Sequence, residues 1–225
     1  MKALDSCLVI FDLDGTLIDS AGDICLAVNG LLAELDCAPL SVAEVRGFVG
    51  EGARRLVEKL LVARPDARTD VDSALARFLH LYETTPTTHT TLYPDLRPTL
   101  EALIAAGATL AVCTNKPGTA TRNVLRDLDL ARYFETVIAG DTLPVRKPDP
   151  GTIDAVIALN GHETKHVVLV GDSEIDAATA IAAEIPFILM THGYRHRPAA
   201  EIPATYRLDH FTDLIGLLPV GAGFS

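Results

Sequence analysis

The residues best suited to chemistry in this 225-residue sequence follow short apolar runs. They stand in four segments: Asp12-Leu13-Asp14-Gly15-Thr16, Thr114-Asn115-Lys116, Lys147-Pro148 and Gly171-Asp172-Ser173-Glu174-Ile175-Asp176. Carboxylates that converge in a semi-buried pocket repel one another unless a cation lies between them. Oxygen ligands without matched His or Cys favour Mg²⁺. Such a cation, a lysine, a hydroxyl and backbone amides would bind a phosphoryl group, and an aspartate can accept that group covalently.

The elements that position these segments are short strands. Four continuously apolar runs are typical of strands buried on both faces, namely Cys7–Phe11, Thr109–Cys113, Val167–Val170 and Phe187–Met190, and Thr136–Ala139 is a fifth candidate. Helical patterns alternate with them over Leu96–Ala106, Pro117–Leu130 and from Asp149-Pro150 to Asn160-Gly161. This alternation predicts an α/β fold with a Rossmann-like, doubly wound parallel sheet. Ligands bind beyond the carboxyl ends of such strands, so we expect the four segments to form one site.

The stretch after the first strand breaks the alternation, because its apolar residues recur at helical spacing. Asp19 or Ser20 is the predicted cap of the first helix there, and Ser41 with Glu44 has the spacing of a capping box for the second. We therefore predict an all-helical cap domain over residues 19–91, inserted into a catalytic core of residues 1–18 and 92–225.

Composition and charge exclude several classes of partner. The net charge of −11 disfavours nucleic acid and anionic membranes, and 5% aromatic residues disfavour a base-stacking face. The four cysteines show no C-x-x-C pairing, and the first apolar run is too short for a signal peptide or a membrane span. These features predict a soluble cytoplasmic protein that acts on a small molecule. They leave monomer and homodimer both open.

The four segments, in this order and in these strand contexts, resemble the four motifs of the haloacid dehalogenase superfamily. Tyr93-Pro94, Thr114-Asn115-Lys116-Pro117 and Thr191-His192-Gly193-Tyr194 are similar to the branch with a helical cap whose members hydrolyse 2-phosphoglycolate. The resemblance extends from about Leu8 to Leu218. It implies a Mg²⁺-dependent hydrolase of small phosphomonoesters.

The resemblance implies two catalytic aspartates. Asp12 would be the nucleophile that becomes an aspartyl phosphate, and its second oxygen would bind Mg²⁺. Asp14 would protonate the leaving alkoxide and then deprotonate the attacking water, while its backbone carbonyl also binds the metal. Dehalogenases in the superfamily lack an acid at this position, so Asp14 indicates phosphate esters.

The other motif residues have implied roles around these two. Thr114 and Asn115 would hold the phosphoryl oxygens, and Lys147 would neutralise charge on the nucleophile and the phosphate. Asp172 would be the remaining protein ligand of Mg²⁺. Asp176 would be either a further ligand or a residue that orients the ligands.

Selection of the substrate is assigned to the predicted cap. Its candidate specificity loop is Val49-Gly50-Glu51-Gly52, flanked by arginines. Gly50 and Arg54 are the candidate residues, because an arginine can bind the carboxylate of a small acid in a bidentate manner.

Two alternatives and two departures accompany this interpretation. A phosphosugar mutase of the same superfamily would pass the phosphoryl group to a sugar hydroxyl instead of water. A regulatory module would bind phosphate without turnover, although the intact motifs argue against it. Asp95 and Glu184 stand where glycine is usual in the family, which puts the local backbone geometry in question.

Overall fold

The computed structural model describes residues 4–161 and 166–218. Its strands are β1 (Cys7–Phe11), β2 (Ile18–Asp19), β3 (Thr91–Leu92), β4 (Thr109–Cys113), β5 (Thr136–Ile138), β6 (His166–Gly171), β7 (Phe187–Met190) and β8 (Tyr206–Leu208). Six of them form one sheet in the order β5-β4-β1-β6-β7-β8, and every neighbouring pair is parallel. The central position of β1 explains its continuous apolar sequence, since both edges and both faces are covered.

Helices fill the connections between these strands. They are α1 (Ala21–Glu34), α2 (Val42–Arg46), α3 (Ala53–Ala63), α4 (Val71–Thr84), α5 (Leu96–Ala106), α6 (Gly118–Asp127), α7 (Gly151–Asn160), α8 (Glu174–Ala182) and α9 (Leu214–Leu217). Single 3₁₀ turns lie at Ala131–Tyr133, Ala199–Glu201 and Phe211–Asp213. Among the described residues, no helix has the length and apolar content needed to cross a membrane.

Alternate residues of β1 serve two different hydrophobic cores. Val9 and Phe11 pack into a cluster with residues of α5, α6 and α9. Leu8 and Ile10 pack into a second cluster with residues of α7 and α8. The sheet is therefore covered on both faces, which confirms the predicted doubly wound α/β fold.

The strand predictions agree closely with the structure, and the helix ends agree less well. β1, β4 and β7 have the predicted bounds, whereas β5 ends one residue before the predicted Ala139. Helix α6 ends at Asp127 instead of the predicted Leu130, because the backbone N–H of Leu130 turns back to the carbonyl of Leu125. Asp129, at φ +50°, is the left-handed residue of this turn, so an ordered C-terminal cap ends the helix.

Helices α1–α4 form a compact segment beside the sheet with a hydrophobic cluster of its own, which Ala120 and Tyr194 join from outside the segment. The chain leaves through β2 and returns through β3, and these short strands pair antiparallel across the predicted boundaries. Asp23 in α1 accepts backbone hydrogen bonds from His89 and Thr90, both at 2.9 Å, and so ties the returning chain to the outgoing helix.

Candidate active site

Asp12 lies at the carboxyl end of the central strand, as predicted. Its backbone N–H donates to the carbonyl of Val170 at 2.9 Å, which continues the β1–β6 pairing to this residue. Lys147 Nζ lies 2.9 Å from Asp12 Oδ1 and 2.5 Å from Asp176 Oδ1. The side chains of Lys147 and Asp176 are 2% and 0% exposed, so this ion-pair network is shielded from water.

Three buried carboxylates meet at this point, and we call Asp12, Asp172 and Asp176 the carboxylate cluster. Each offers an oxygen, and these oxygens lie within 4.8 Å of one another. Burial raises the pKa of Asp12, Lys147 lowers it and Asp176 raises it, and the net result is a pKa of about 6. Burial, then Asp176 and Asp12, raise the pKa of Asp172 well above its ordinary value. A cluster of hard oxygen donors under mutual repulsion fits a divalent cation such as Mg²⁺.

Asp172 is held in place by its neighbours on both sides. Thr16 Oγ1 donates to Asp172 Oδ1 at 2.7 Å, and the backbone N–H of Tyr194 donates to Oδ2 at 2.7 Å. Gly15 (φ +86°) and Gly193 (φ +109°) press against the same carboxylate, because a Cβ on either would lie 2.5 Å or 2.4 Å from Asp172 Oδ2. Only glycine satisfies both the left-handed backbone and the close approach.

Both oxygens of Asp176 are already engaged within the chain. Oδ1 accepts from Lys147, while Oδ2 accepts from the backbone and hydroxyl of Ser173 at 3.1 and 2.6 Å. These bonds form the capping box that begins α8. Because both oxygens are engaged, these bonds favour the orienting role over direct ligation of a metal, and Asp176 reaches the expected ligand Asp12 through Lys147.

Asp14 lies beside Asp12 but faces a different set of partners. Its Oδ1 accepts from Ser20 Oγ at 2.6 Å and from Lys116 Nζ at 2.7 Å. Ser20 is the N-cap residue of α1, which is one of the two predicted positions, but its hydroxyl donates to Asp14 and makes no cap hydrogen bond. The weak contact from the Ala21 N–H to Asp19 Oδ1 is 3.4 Å long.

The hydroxyl of Tyr194 occupies the place of that missing cap. It accepts from the backbone N–H groups of Ser20 and Ala21 at 2.7 and 3.0 Å and donates to Asp19 Oδ1 at 2.6 Å. Tyr194 thus touches Asp172 with its backbone and the start of α1 with its side chain. Apart from the tyrosine at the end of Thr191-His192-Gly193-Tyr194, no pattern in the sequence indicates this contact.

Thr114 and Asn115 follow β4 and are both buried. The Thr114 backbone N–H donates to the carbonyl of Ile138 at 2.9 Å. Asn115 Nδ2 donates to the carbonyls of Gly50 and Lys147, both at 3.0 Å. Asn115 therefore joins the sheet side of the site to the helical segment, while its buried Oδ1 has no hydrogen-bond partner among the described residues.

A cavity that is partly open to solvent lies next to Asp12 and Asp14. On the sheet side it is also lined by Thr114, Asn115, Lys116 and Pro117. The opposite side, which we call the helical wall, consists of Ile24, Val49, Gly50, Gly52, Ala53, Leu56, Phe78 and Tyr82. The site is thus charged on the sheet side and mostly apolar on the helical side, as in most small-molecule pockets.

Of the two candidate specificity residues, Gly50 lines the cavity and Arg54 does not. Gly50 lies in the helical wall, at φ +117°, with its carbonyl on Asn115. Arg54 was expected at the cavity, and this prediction is wrong. Its guanidinium pairs with Asp72 at 2.7 Å on the outer side of α3, where the arginine side chain is 46% exposed.

Sequence reasoning overlooked several residues that contact the site. Thr16 and Lys116 stand inside the four segments without an assigned role, and Tyr82 lies in the stretch for which only helices were predicted. The motif context could have pointed to Thr16 and Lys116. Nothing in the sequence pattern indicates that the hydroxyl of Tyr82 reaches Lys116, because this depends on how α4 packs against the sheet.

Fold and site together define an α/β enzyme whose acidic centre lies at the carboxyl ends of its parallel strands. The family model described as haloacid dehalogenase-like hydrolase matches residues 9–190, and the chain belongs to this family.

Relatives of known description agree with this family. A phosphoglycolate phosphatase from Cereibacter sphaeroides is 45% identical over 213 residues, covering 93% of this chain and 96% of the relative. A phosphoglycolate phosphatase from Rhodospirillum rubrum is 42% identical over 212 residues, covering 92% and 88%. A crystal structure described as a predicted phosphoglycolate phosphatase from Haemophilus somnus superimposes with a TM-score of 0.86 at 29% identity, covering 93% of this chain and 96% of that one.

Proposed function

We propose that this chain is a Mg²⁺-dependent phosphomonoester hydrolase that acts through an aspartyl phosphate on Asp12, with 2-phosphoglycolate as its preferred substrate. The observation that carries the proposal is the pairing of Asp12 with the buried Lys147 inside the carboxylate cluster, next to a cavity that also exposes Asp14. The name of the relatives at 42–45% identity supports the choice of substrate.

In the first step, an oxygen of Asp12 attacks phosphorus as the bond from phosphorus to the leaving oxygen breaks. Lys147 lies on the same carboxylate and offsets the negative charge that gathers there. Asp14, which lines the same cavity, gives its proton to the leaving alkoxide. Thr114 and Asn115 line the cavity at the end of β4. Thr114 would donate to a phosphoryl oxygen through its hydroxyl, and Asn115 through its backbone N–H, because both hydrogens of its side-chain amide go to the carbonyls of Gly50 and Lys147.

In the second step, water replaces the alcohol product and attacks phosphorus, and the bond from phosphorus to Asp12 breaks. Asp14 now takes a proton from that water, so its charge returns to that of the starting state. Inorganic phosphate leaves and the Asp12 carboxylate is restored. The helical wall limits access of bulk water to the cavity between the two steps.

The carboxylates of Asp12 and Asp172 and the backbone carbonyl of Asp14 would hold Mg²⁺. When bound, the cation supplies positive charge that relieves the repulsion among the carboxylates and neutralises the phosphoryl oxygens. Asp176 fixes the position of Lys147 through the 2.5 Å contact.

A panel of phosphomonoesters tests the proposal. Phosphate release with Mg²⁺ is measured for 2-phosphoglycolate, a sugar phosphate, a nucleoside monophosphate and an aryl phosphate. We expect the highest kcat/KM with 2-phosphoglycolate. Activity that needs a sugar bisphosphate as activator would favour the mutase instead, and silence across the panel, with phosphate binding retained, would favour the regulatory module.

A further inference from the structure

Lys116 is a buried cation that the proposed reaction does not use. Its side chain is 3% exposed, although it carries a charge and follows directly after the phosphate-binding pair at the end of β4. Nζ donates to Asp14 Oδ1 at 2.7 Å and to the hydroxyl of Tyr82 in α4. The ammonium also lies 4.8 Å from the centre of the Tyr82 ring. Lys116 therefore stands where the sheet side of the cavity meets the helical wall.

The charge lining of the cavity makes this position distinctive. Among the described residues that line it, Lys116 is the only cation, and the helical wall is otherwise apolar apart from the hydroxyl of Tyr82 and backbone groups. An anionic group that extends from the phosphate towards the helices therefore meets one cationic group.

Lys116 and Tyr82 each have a hydrogen-bond donor that no residue of the described structure uses. An ammonium has three N–H donors, and in the described structure two of those of Lys116 are used. Tyr82 accepts from Lys116, so the hydrogen of its own hydroxyl remains available to another acceptor. One N–H and one O–H, from two different elements, can thus bind the same anion.

We infer that Lys116 and Tyr82 bind the carboxylate of the substrate, and that this pair selects phosphomonoesters with a second anionic group close to the phosphate. The inference rests on the proposed function and specifies how the same site distinguishes 2-phosphoglycolate. It also replaces the expectation that Arg54 has this role, since Arg54 is paired with Asp72 on the outside of α3.

The selectivity follows from the buried hydrogen-bond donors that a neutral substrate would leave unpaired. A tail without charge would leave buried donors of Lys116 and Tyr82 without an acceptor, and a site built to hydrogen-bond a group discriminates strongly against analogues that lack it. An exposed arginine would not discriminate in this way, because water satisfies its donors when the ligand is absent.

The test compares two substrates of similar size. 2-Phosphoglycolate carries the carboxylate, and ethyl phosphate has a neutral methyl group in its place, which cannot accept a hydrogen bond. The readout is the ratio of kcat/KM for the charged substrate over the neutral one, which cancels any general loss of activity caused through Asp14.

The variants separate this pair from other cations near the site. We expect Lys116→Met to lower the ratio about 100-fold and Tyr82→Phe about 10-fold, as for loss of charge-assisted and hydroxyl hydrogen bonds. Arg197→Met is the matched control, because Arg197 lines the adjoining cavity on the Asp172 side and its side chain is 59% exposed. The control is expected to leave the ratio within about 2-fold of the wild-type value.

The possible failures are distinguishable. If the wild-type protein prefers 2-phosphoglycolate but Lys116→Met and Tyr82→Phe keep its ratio, the inference is overturned while the proposed function stands. If Arg197→Met lowers the ratio instead, the carboxylate binds in the adjoining cavity and the inference is again wrong. If Lys116→Met does not fold, Tyr82→Phe decides. If the wild-type protein hydrolyses neither ester, the proposed function fails and the inference with it.

Discussion

The carboxylate cluster and the helical wall face each other across one cavity, yet they are built in opposite ways. The cluster consists of buried charges whose partners, Lys147, Thr16 and the backbone of Tyr194, all come from the ends and connections of the main sheet. The helical wall is largely apolar and meets the sheet side through few polar contacts. Two of these are the Gly50 carbonyl on Asn115 and the Tyr82 hydroxyl on Lys116.

This difference assigns different tasks to the two sides. These charges are held by neighbours at the edge of the sheet and not by the helical wall, which suits a reaction that depends on positioning and charge neutralisation. A wall that contacts the sheet side sparingly can admit and release a ligand at low energetic cost. On the proposed function, substitutions on the sheet side should therefore remove the chemistry, whereas those on the helical side should change which substrate is chosen.

The largest expected effect is that of Asp12→Asn. The amide is almost isosteric but a poor nucleophile, so kcat should fall at least about 10,000-fold for every substrate alike. Steady-state phosphate release measures this, with circular dichroism to verify the fold. A variant that retained near wild-type turnover would exclude Asp12 as the nucleophile and abolish the contrast with the helical wall.

The second-largest expected effect is the loss of activity on removal of Mg²⁺. Excess chelator should stop phosphate release and added Mg²⁺ should restore it, because the three clustered carboxylates need a counter-charge. Mg²⁺ should also raise the Tm of the wild-type protein, since a ligand of the native state stabilises it.

Asp172→Asn tests the metal site by removing one of the carboxylates that are expected to hold Mg²⁺. Loss of this carboxylate should raise the Mg²⁺ concentration for half-maximal Tm shift at least about 100-fold. Asp72→Asn, on the exposed outer side of α4, is the control and should leave the Mg²⁺ titration as it is. Full activity in chelator would contradict a role of the cluster in metal binding.

Tyr194→Phe tests the connection between the two sides. The variant keeps the backbone N–H on Asp172 but leaves the buried N–H groups of Ser20 and Ala21 without their acceptor. The free energy of unfolding should fall by about 1–3 kcal/mol. Urea denaturation measures the loss, and Tyr206→Phe, at an exposed position in β8, is the control. Equal stability of the two variants would mean that this hydroxyl does not hold the start of α1.

The sequence predicted the sheet side of the site far better than the helical side. β1, β4 and β7 are continuously apolar because they are buried on both faces, and the residues after such strands must lie at one edge of the sheet. The contacts of Ser20, Arg54 and Tyr82 depend on side-chain directions and on packing between distant elements. Ser20 is the N-cap residue of α1, but its hydroxyl donates to Asp14 at 2.6 Å, and the Tyr194 hydroxyl accepts from the N–H groups of Ser20 and Ala21.

The two departures from the family pattern show that the backbone can retain a conformation when its residue changes. Asp95 and Glu184 stand where glycine is usual, and both adopt left-handed backbone angles, with φ of +60° and +54°. The backbone at both positions therefore keeps the left-handed conformation that glycine usually adopts. Glu184 lies in the turn that follows α8, where the N–H of Ile185 returns to the carbonyl of Ala180 at 3.0 Å.

Glu184→Gly has the smallest expected effect, and it should raise the free energy of unfolding instead of lowering it. Removing Cβ relieves a left-handed strain of about 1–2 kcal/mol but adds freedom to the unfolded chain, so the free energy of unfolding should rise by about 0.5–1 kcal/mol. The reverse control is Gly107→Ala at the end of α5, where φ is +102° and a Cβ should lower stability by about 1 kcal/mol. Both variants should keep the wild-type kcat/KM, because both positions lie outside the cluster and the wall. A loss of stability in Glu184→Gly would mean that the glutamate side chain contributes more than its strained backbone costs.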